Sequence, residues 1–151
     1  MNNLLLFLFI VLFSCTKSTI SYEIISKSQK MNPMVLTTRS EIIKGLSGLK
    51  DSEFTNNDIA LFVFDKESNQ TFWMPDTHFD LFIIFIDEDG LVVGKEKMNH
   101  FPHPVTSLNK KSIPRTGTYM AKYVIEIKAS SELEKLFQIG EYIMINKKEH
   151  I

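Results

Sequence analysis

Two continuous apolar segments of strand length constrain the fold of this chain more than any other feature. Residues 59–64 read Ile-Ala-Leu-Phe-Val-Phe, and residues 81–86 read Leu-Phe-Ile-Ile-Phe-Ile. Neither segment alternates apolar with polar residues, as a strand with one solvated face does. Uninterrupted apolar runs of this length are typical of strands that are buried on both faces. The sequence therefore predicts a sheet whose central strands are covered on both sides.

Other patterns predict further strands and two short helices. Residues 20–24 and 119–127 alternate apolar with polar residues, which predicts half-buried strands and places Glu126 on the polar face of the second one. Capping boxes at residues 38–41 and 131–134 predict two helix starts, and nearby glycines keep both helices short. We therefore expect a mainly β (α+β) fold, a single compact sandwich- or barrel-like β domain with one or two short helices.

The amino terminus carries a second strong pattern. Residues 4–13 are all apolar, and Ser14 and Cys15 follow, Cys15 being the only cysteine. The run is too short to span a bilayer, which takes about 20 residues. It fits the apolar region of a secretory signal peptide. Its end resembles a bacterial lipobox, in which the cysteine is lipidated and the chain is cut before it. The alternative is a short buried strand with a buried cysteine.

The lipobox interpretation divides the chain into four parts. They are a signal peptide over residues 1–14, a lipidated Cys15 with tether and first strand over 15–33, a β domain over 34–146 and a polar tail over 147–151. Stable anchoring takes two or more acyl chains, which a lipidated cysteine carrying diacylglycerol supplies. We therefore expect the protein in the cell envelope, held by its lipid to a bacterial membrane and facing the periplasm or the exterior.

Charge and composition narrow the partners. The net charge is −1 and the pI is about 6.4. Nucleic acid is not expected as a partner, because binding phosphates takes clustered Lys and Arg. No cofactor is expected either, since the chain has no glycine-rich loop that could hold phosphates. The remaining partners are the membrane, through the lipid, and a small molecule, a glycan or another protein.

Several motifs occur in the order that one known family uses. Residues 72–77, Phe-Trp-Met-Pro-Asp-Thr, resemble the Phe-Trp-Met-Lys-Asn-Thr signature of the domain of unknown function 192 family of bacteria and archaea. Residues 61–64, 84–87 and 123–126 are similar to three further family motifs. The resemblance covers roughly residues 34–145, with Pro-Asp in place of Lys-Asn in the signature. It implies a small, mainly β sandwich-like domain and no established activity.

The segment around the signature supplies the candidate ligand-binding residues, which are Trp73, Met74, Asp76, Thr77 and Asp80. A tryptophan offers a large stacking face and one hydrogen-bond donor, which suits a sugar or a planar ligand. The alternative is that Met74 faces the core while Trp73 covers a sheet face, as aromatic residues in strands usually do.

Two other sets of residues suggest chemistry. Asp76, Asp80 and Glu126 are candidate catalytic carboxylates, since two carboxylates about 5 to 10 Å apart can hydrolyse a glycoside. Their alternative role is to cap turns. Met98, His100 and His103 are candidate metal ligands, because thioether and imidazole bind copper and imidazole binds zinc. These three lie in a proline-rich stretch, residues 95–117, whose alternative interpretation is a solvated loop.

No complete catalytic set is present, which favours a non-enzymatic binding or accessory module of the envelope. Nucleophilic catalysis has no support, because Cys15 is assigned to lipid and no serine lies in a Gly-x-Ser-x-Gly motif. Two alternatives stay open. One is a hydrolase that acts on cell-envelope glycan with paired carboxylates, and the other is a copper- or zinc-binding protein.

Overall fold

The computed structural model describes residues 19–150 and confirms a mainly β domain. The predicted signal peptide and Cys15 lie outside the described residues. One α-helix, α1 (Arg39–Lys44), and two 3-10 turns, Asp51–Glu53 and Glu132–Leu136, accompany eight strands. The strands are β1 (Thr19–Ser26), β2 (Gln29–Met31), β3 (Met34–Leu36), β4 (Ala60–Gln70), β5 (Leu81–Ile86), β6 (Val92–Met98), β7 (Tyr119–Lys128) and β8 (Met144–His150).

The strands form two sheets. The larger has the order β3-β4-β7-β5-β6, in which β3 runs parallel to β4 and all other neighbours are antiparallel. The smaller has the order β2-β1-β8 and is antiparallel throughout. Both continuous apolar segments are strands, as predicted, and they flank β7 at the centre of the larger sheet. Strand β8 pairs as far as His150 with Thr19 and includes residues 147–150 of the segment expected as a polar tail.

Hydrophobic cores cover both faces of the larger sheet. On one face, the smaller sheet contributes Ile24 and Met31 to a core that includes Ile125 and Ile127 of β7. On the other face, the core includes Leu46 from the turn after α1, together with Phe54, Met74, Phe79 and residues of β4 and β5. The domain therefore has three layers, which are the smaller sheet, the larger sheet, and α1 with its neighbouring loops.

This layering corrects one expectation about β7. Glu126 is not on a solvated face, because Val124 and Glu126 point toward α1 and are buried, while Ile125 and Ile127 are buried on the opposite face. A strand at the centre of a sheet with both faces covered has no polar side. The period of two holds from Tyr123 to Ile127, where both faces are interior. It breaks earlier in the strand, because Tyr119 and Ala121 pack in the same core as Val124, next to the irregular register of β4 between Val63 and Ser68.

The two capping boxes have different outcomes. At α1, the Thr38 hydroxyl accepts the Glu41 N–H at 3.3 Å, while the Glu41 carboxylate accepts the Thr38 N–H at 2.8 Å. This box is the one predicted, and α1 ends at Gly45, whose φ is +50°. At Ser131, the hydroxyl accepts the Leu133 N–H, but only a 3-10 turn follows. The second predicted helix is therefore a single short turn.

The long loop begins later than expected. Strand β6 continues through Met98, which pairs with Leu81, so the loop starts after Met98 rather than at residue 95. Two isolated β-bridges, Thr77 with Phe101 and Trp73 with Arg115, join this loop to the segment between β4 and β5. The two bridges therefore join the 72–77 segment to the long loop near both ends of the segment.

Candidate functional site

A groove lies on the α1 face of the larger sheet. It is formed by α1 and its following turn, by three residues of β4, by five residues of the 71–77 segment, and by single residues from β5 and β7. The groove encloses about 200 Å³. One water needs only about 10 to 15 Å³ of such space, so the groove has room for several waters or one small organic group. Most of its lining side chains are apolar, which is typical of pockets that bind small molecules.

Aromatic side chains form one wall of the groove. Phe62 and Phe64 come from β4, and Phe72 and Trp73 come from the segment that follows it. The Phe72 ring meets the Phe62 ring edge-on at 4.9 Å between centroids and the Phe64 ring at 6.5 Å. Edge-to-face packing of this kind stabilises each ring in one orientation. The wall is therefore defined by packing among the rings themselves.

Glu126 is the one acidic side chain that lines the groove. It lies on β7 between Ala60 of β4 and Ile83 of β5, and only 5% of its surface is exposed. Within residues 19–150, no side chain or backbone group forms a hydrogen bond or ion pair with its carboxyl. Burial raises the pKa of this carboxyl from its ordinary value of 4.5 to about 8, because the charged form loses its hydration.

The carboxyl oxygens of Glu126 remain accessible from the groove. Among the described side chains, the one fully buried polar atom without a hydrogen-bond partner is Oε2 of Glu141, on another part of the surface. The oxygens of Glu126 also lack a hydrogen-bond partner, but they are not fully buried. They therefore keep contact with the groove. The arrangement is an acid in a largely apolar pocket, with unused hydrogen-bonding capacity toward a ligand.

Trp73 and Thr77 are the two predicted ligand-binding residues that line this groove. The Arg115 guanidinium lies 4.7 Å from the centroid of a Trp73 ring, a cation–π arrangement that joins the wall to the long loop. Thr77 is buried, and its hydroxyl donates to the Pro75 carbonyl at 3.2 Å. Met74 is a core residue with 1% of its surface exposed, as its alternative interpretation held.

The other two predicted residues lie elsewhere. Asp76 is not among the groove residues, and its Oδ1 lies 3.3 Å from Nε2 of His78. Asp80 lines a second, more open depression with His100, Lys97 and Lys128. There its Oδ1 accepts the His100 N–H at 2.8 Å and lies 2.6 Å from the His100 Nδ1. These two hydrogen bonds, the backbone one first, hold the pKa of Asp80 below its usual value.

The three candidate catalytic carboxylates do not share one pocket. Glu126 lines the groove, Asp80 lines the second depression, and Asp76 contacts His78. The paired-carboxylate hypothesis therefore remains a prediction without a shared pocket among the described residues.

The candidate metal ligands also point to different surroundings. Met98 is buried in the core, His100 pairs with Asp80, and the His103 ring meets the Phe101 ring edge-on at 5.4 Å. Within residues 19–150, no three His, Cys, Asp or Glu side chains lie close enough together to hold a metal ion. The metal hypothesis likewise remains a prediction.

Sequence reasoning did not find the groove itself. Its remaining walls come from Ile42 and Leu46 near α1 and from Phe62 and Phe64 of β4, which the sequence suggests only as core residues. One signal was present for its acid. Glu126 interrupts an otherwise apolar run. Burying an acid among apolar residues costs free energy, and acids in such surroundings are often found at functional sites.

The fold and the groove define a class of protein, a small mainly β domain with an aromatic-walled groove. The chain belongs to the DUF192 family, described as Uncharacterized ACR, whose model matches residues 22–145. No curated protein matches it. In the described part of the chain, no helix has the length and apolar character needed to cross a membrane.

Solved structures with a similar fold include two with a TM-score of 0.60 or more. One, a candidate transcription regulator from Sinorhizobium meliloti 1021, has a TM-score of 0.61 and 19% identity over 85% of this chain and 95% of that one. The other, a protein of unknown function from Novosphingobium aromaticivorans DSM 12444, has a TM-score of 0.60 and 20% identity over 89% of this chain and 90% of that one. At these identities the likeness extends to the fold alone.

Proposed function

We propose that this protein is a non-enzymatic binding module that holds a small ligand in the groove between α1, β4 and residues 71–77. The observation that carries the proposal is the carboxyl of Glu126, which is buried, accessible from the groove and without a partner among the described residues. Removing an acid from water without a compensating hydrogen bond costs several kcal/mol. A ligand that completes the hydrogen bonding of Glu126 would recover part of that cost on binding.

The composition of the groove favours binding over hydrolysis. Glycoside hydrolysis takes a second carboxyl that faces the first across the substrate. Glu126 is the one acid that lines the groove, and the remaining polar lining consists of one lysine, one glutamine, one serine and two threonines. Apolar and aromatic walls with a few polar groups are the usual composition of a binding site.

The site of action is proposed from the amino-terminal sequence. We place the protein at the outer side of a bacterial membrane, anchored through Cys15, because residues 4–15 match a lipidated signal peptide. A Cys15→Ser variant tests this placement in a bacterial host fed radiolabelled fatty acid. We expect the native protein to carry label and to sediment with membranes, and the variant to do neither. Equal labelling of both would contradict the anchor.

Ligand-observed NMR with a fragment mixture tests the binding function itself. We expect several fragments to bind, and a Ser47→Phe variant to lose them, because Ser47 lines the groove and a phenyl ring there would occupy it. Ser52→Phe is the matched control, since Ser52 is exposed in the Asp51–Glu53 turn, away from the groove. Absence of fragment binding, or equal loss in both variants, would contradict the proposed function.

A further inference from the structure

We propose that the ligand of the groove carries a protonated amine, and that its ammonium group binds the carboxylate of Glu126. This inference rests on the proposed function, because it names the chemical class that the same groove takes. It follows from the hydrogen-bonding capacity of the acid, the charges around it and the aromatic wall beside it.

The hydrogen-bonding capacity of Glu126 favours a donor ligand. Neither of its oxygens accepts a hydrogen bond within residues 19–150, and both belong to a side chain that is 95% buried. A neutral acceptor ligand would use only the one proton of the acid and leave the other oxygen unsatisfied. An ammonium group has three donors and can satisfy both oxygens. Hydrogen bonds between charged partners are also about twice as strong as neutral ones.

The charged groups near Glu126 do not neutralise its carboxylate, so a cationic ligand can pair with it. Of the other lining residues, only Lys44 is charged, and it is exposed at the end of α1, where water screens it. Lys128 lies on the same face of β7, but its ammonium pairs with the Asp51 carboxylate at 2.6 Å. From β4 and β5, the groove receives apolar side chains and Gln70. Within residues 19–150, no cation of the chain therefore pairs with Glu126.

The aromatic wall suits the same ligand. A cation near the face of an aromatic ring is attracted by the ring quadrupole, most strongly by tryptophan. Arg115 already uses Trp73 in this way at 4.7 Å. Phe62, Phe64 and Phe72 extend the wall inside the groove. The groove is open to solvent on one side, and its cavity of about 200 Å³ has room for an amine on a short alkyl stem or on a single ring.

Proton release would accompany the binding of such an amine. With a pKa of about 8, raised by burial, the carboxyl is mostly protonated at neutral pH, and the ammonium must displace that proton. Affinity for an amine should therefore rise about tenfold for each pH unit up to about pH 8 and then level off. A neutral acceptor ligand would behave in the opposite way and weaken above pH 8.

The experiment compares phenethylamine with phenethyl alcohol, which has nearly the same shape and no charge, by isothermal titration calorimetry. We expect phenethylamine to bind about 10- to 100-fold more tightly, the range that a charged hydrogen bond supplies. Titrations in two buffers of different ionisation enthalpy should show release of nearly one proton at neutral pH. Equal binding of the two probes, or no proton release, would overturn the amine proposal.

Two variants complete the test. Glu126→Gln should remove the preference for phenethylamine and the proton release, whereas Glu88→Gln, a change in an exposed turn, should alter neither. Retained preference in Glu126→Gln would overturn the proposal. If phenethyl alcohol and other neutral fragments bind and phenethylamine does not, the amine inference fails while the binding function stands. If no probe binds, both fail.

Discussion

Glu126 and Lys128 lie two residues apart on the same face of β7, and within residues 19–150 only the lysine has a partner. The Lys128 ammonium donates to the Asp51 carboxylate at 2.6 Å and to the Asp51 carbonyl at 2.8 Å, although only 9% of its side chain is exposed. The ring of Phe79 lies 5.0 Å from the same ammonium. The lysine is therefore paired within the chain, whereas the carboxyl of Glu126 faces the groove without a partner among the described residues.

Removing the partner of Lys128 should destabilise the protein. In Asp51→Ala, the ammonium stays buried and keeps only the backbone carbonyl, so we expect a loss of about 1 to 2 kcal/mol in the free energy of unfolding. The loss is smaller than for a fully buried pair because the Asp51 side chain is 76% exposed. Urea denaturation measures it.

The matched variant is Lys128→Met, which removes the charge and keeps the length of the stem. A hydrophobic replacement of a buried charge is often neutral, so we expect a change below about 1 kcal/mol. If Lys128→Met lowers the free energy of unfolding as much as Asp51→Ala does, the ion pair itself stabilises the fold. The unpaired buried ammonium is then not the main reason for the loss in Asp51→Ala.

Glu126 should make stability depend on pH. The carboxyl has an ordinary pKa of 4.5 when unfolded and one of about 8 when folded, because it is buried. Between these values the folded state holds a proton that the unfolded state has lost. The contribution of Glu126 to stability is therefore full below about pH 4.5 and declines by about 1.4 kcal/mol per unit as pH rises toward 8.

Glu126→Gln removes this dependence and keeps the shape of the side chain. We expect the variant to gain stability relative to the native protein as pH rises from about 5 to 8. Urea midpoints across that range measure the difference. Parallel pH profiles for the two proteins would mean that the folded carboxyl titrates normally and that the groove hydrates it.

Two glycines with nearly the same backbone angle should respond very differently to alanine. Gly90 has φ +89° and Gly140 has φ +86°. A Cβ on Gly90 would lie 2.3 Å from the Ile143 carbonyl oxygen, whereas one on Gly140 would meet nothing within 4 Å. We expect Gly140→Ala to cost about 1 to 2 kcal/mol from the angle alone. Gly90→Ala should cost about 1 to 3 kcal/mol more, because the backbone at Ile143 must move to make room for the methyl group.

Thermal denaturation of both variants compares these costs directly. Equal losses would show that the turn after β5 adjusts freely to the added methyl group. That result would contradict the close contact between Gly90 and Ile143.

The only tryptophan of the chain makes the groove observable by fluorescence. Trp73 is half-buried, and Arg115 lies over it. We expect Arg115→Ala to move the emission of Trp73 to longer wavelength, because the ring gains contact with water, at a cost below about 1 kcal/mol in stability. Lys111→Ala, an exposed change in the same loop, should leave the emission unchanged. A spectrum that is identical in both variants would contradict the contact.

The sequence predicts the strands well because each one carries its own signal. The apolar runs that became β4 and β5 and the capping box at Thr38 depend on neighbours close in the chain, so local patterns identify them. The second capping box shows the limit. Ser131 caps its turn as predicted, yet the segment is a short 3-10 turn that ends at the buried Phe137, which local pattern alone did not indicate.

The groove depends on distant parts of the chain, and for that reason the sequence predicts it poorly. Trp73 and Glu126 were both suggested from local patterns, but their shared pocket follows from the strand order β4-β7-β5 and from α1 covering that face. Asp80, close to Trp73 in the chain, lines a different depression, where its carboxylate accepts the His100 N–H. Proximity in sequence was a poor guide to proximity in the site.

The pairing of β1 with β8 has a practical consequence for work on this protein. Thr19 lies opposite His150, so the two ends of the described chain leave the domain side by side. They leave from the smaller sheet, on the side of the larger sheet that is opposite the groove. A fluorescent protein or affinity tag joined at the carboxyl-terminal end of β8 would thus begin beside Thr19 and leave the entrance to the groove uncovered.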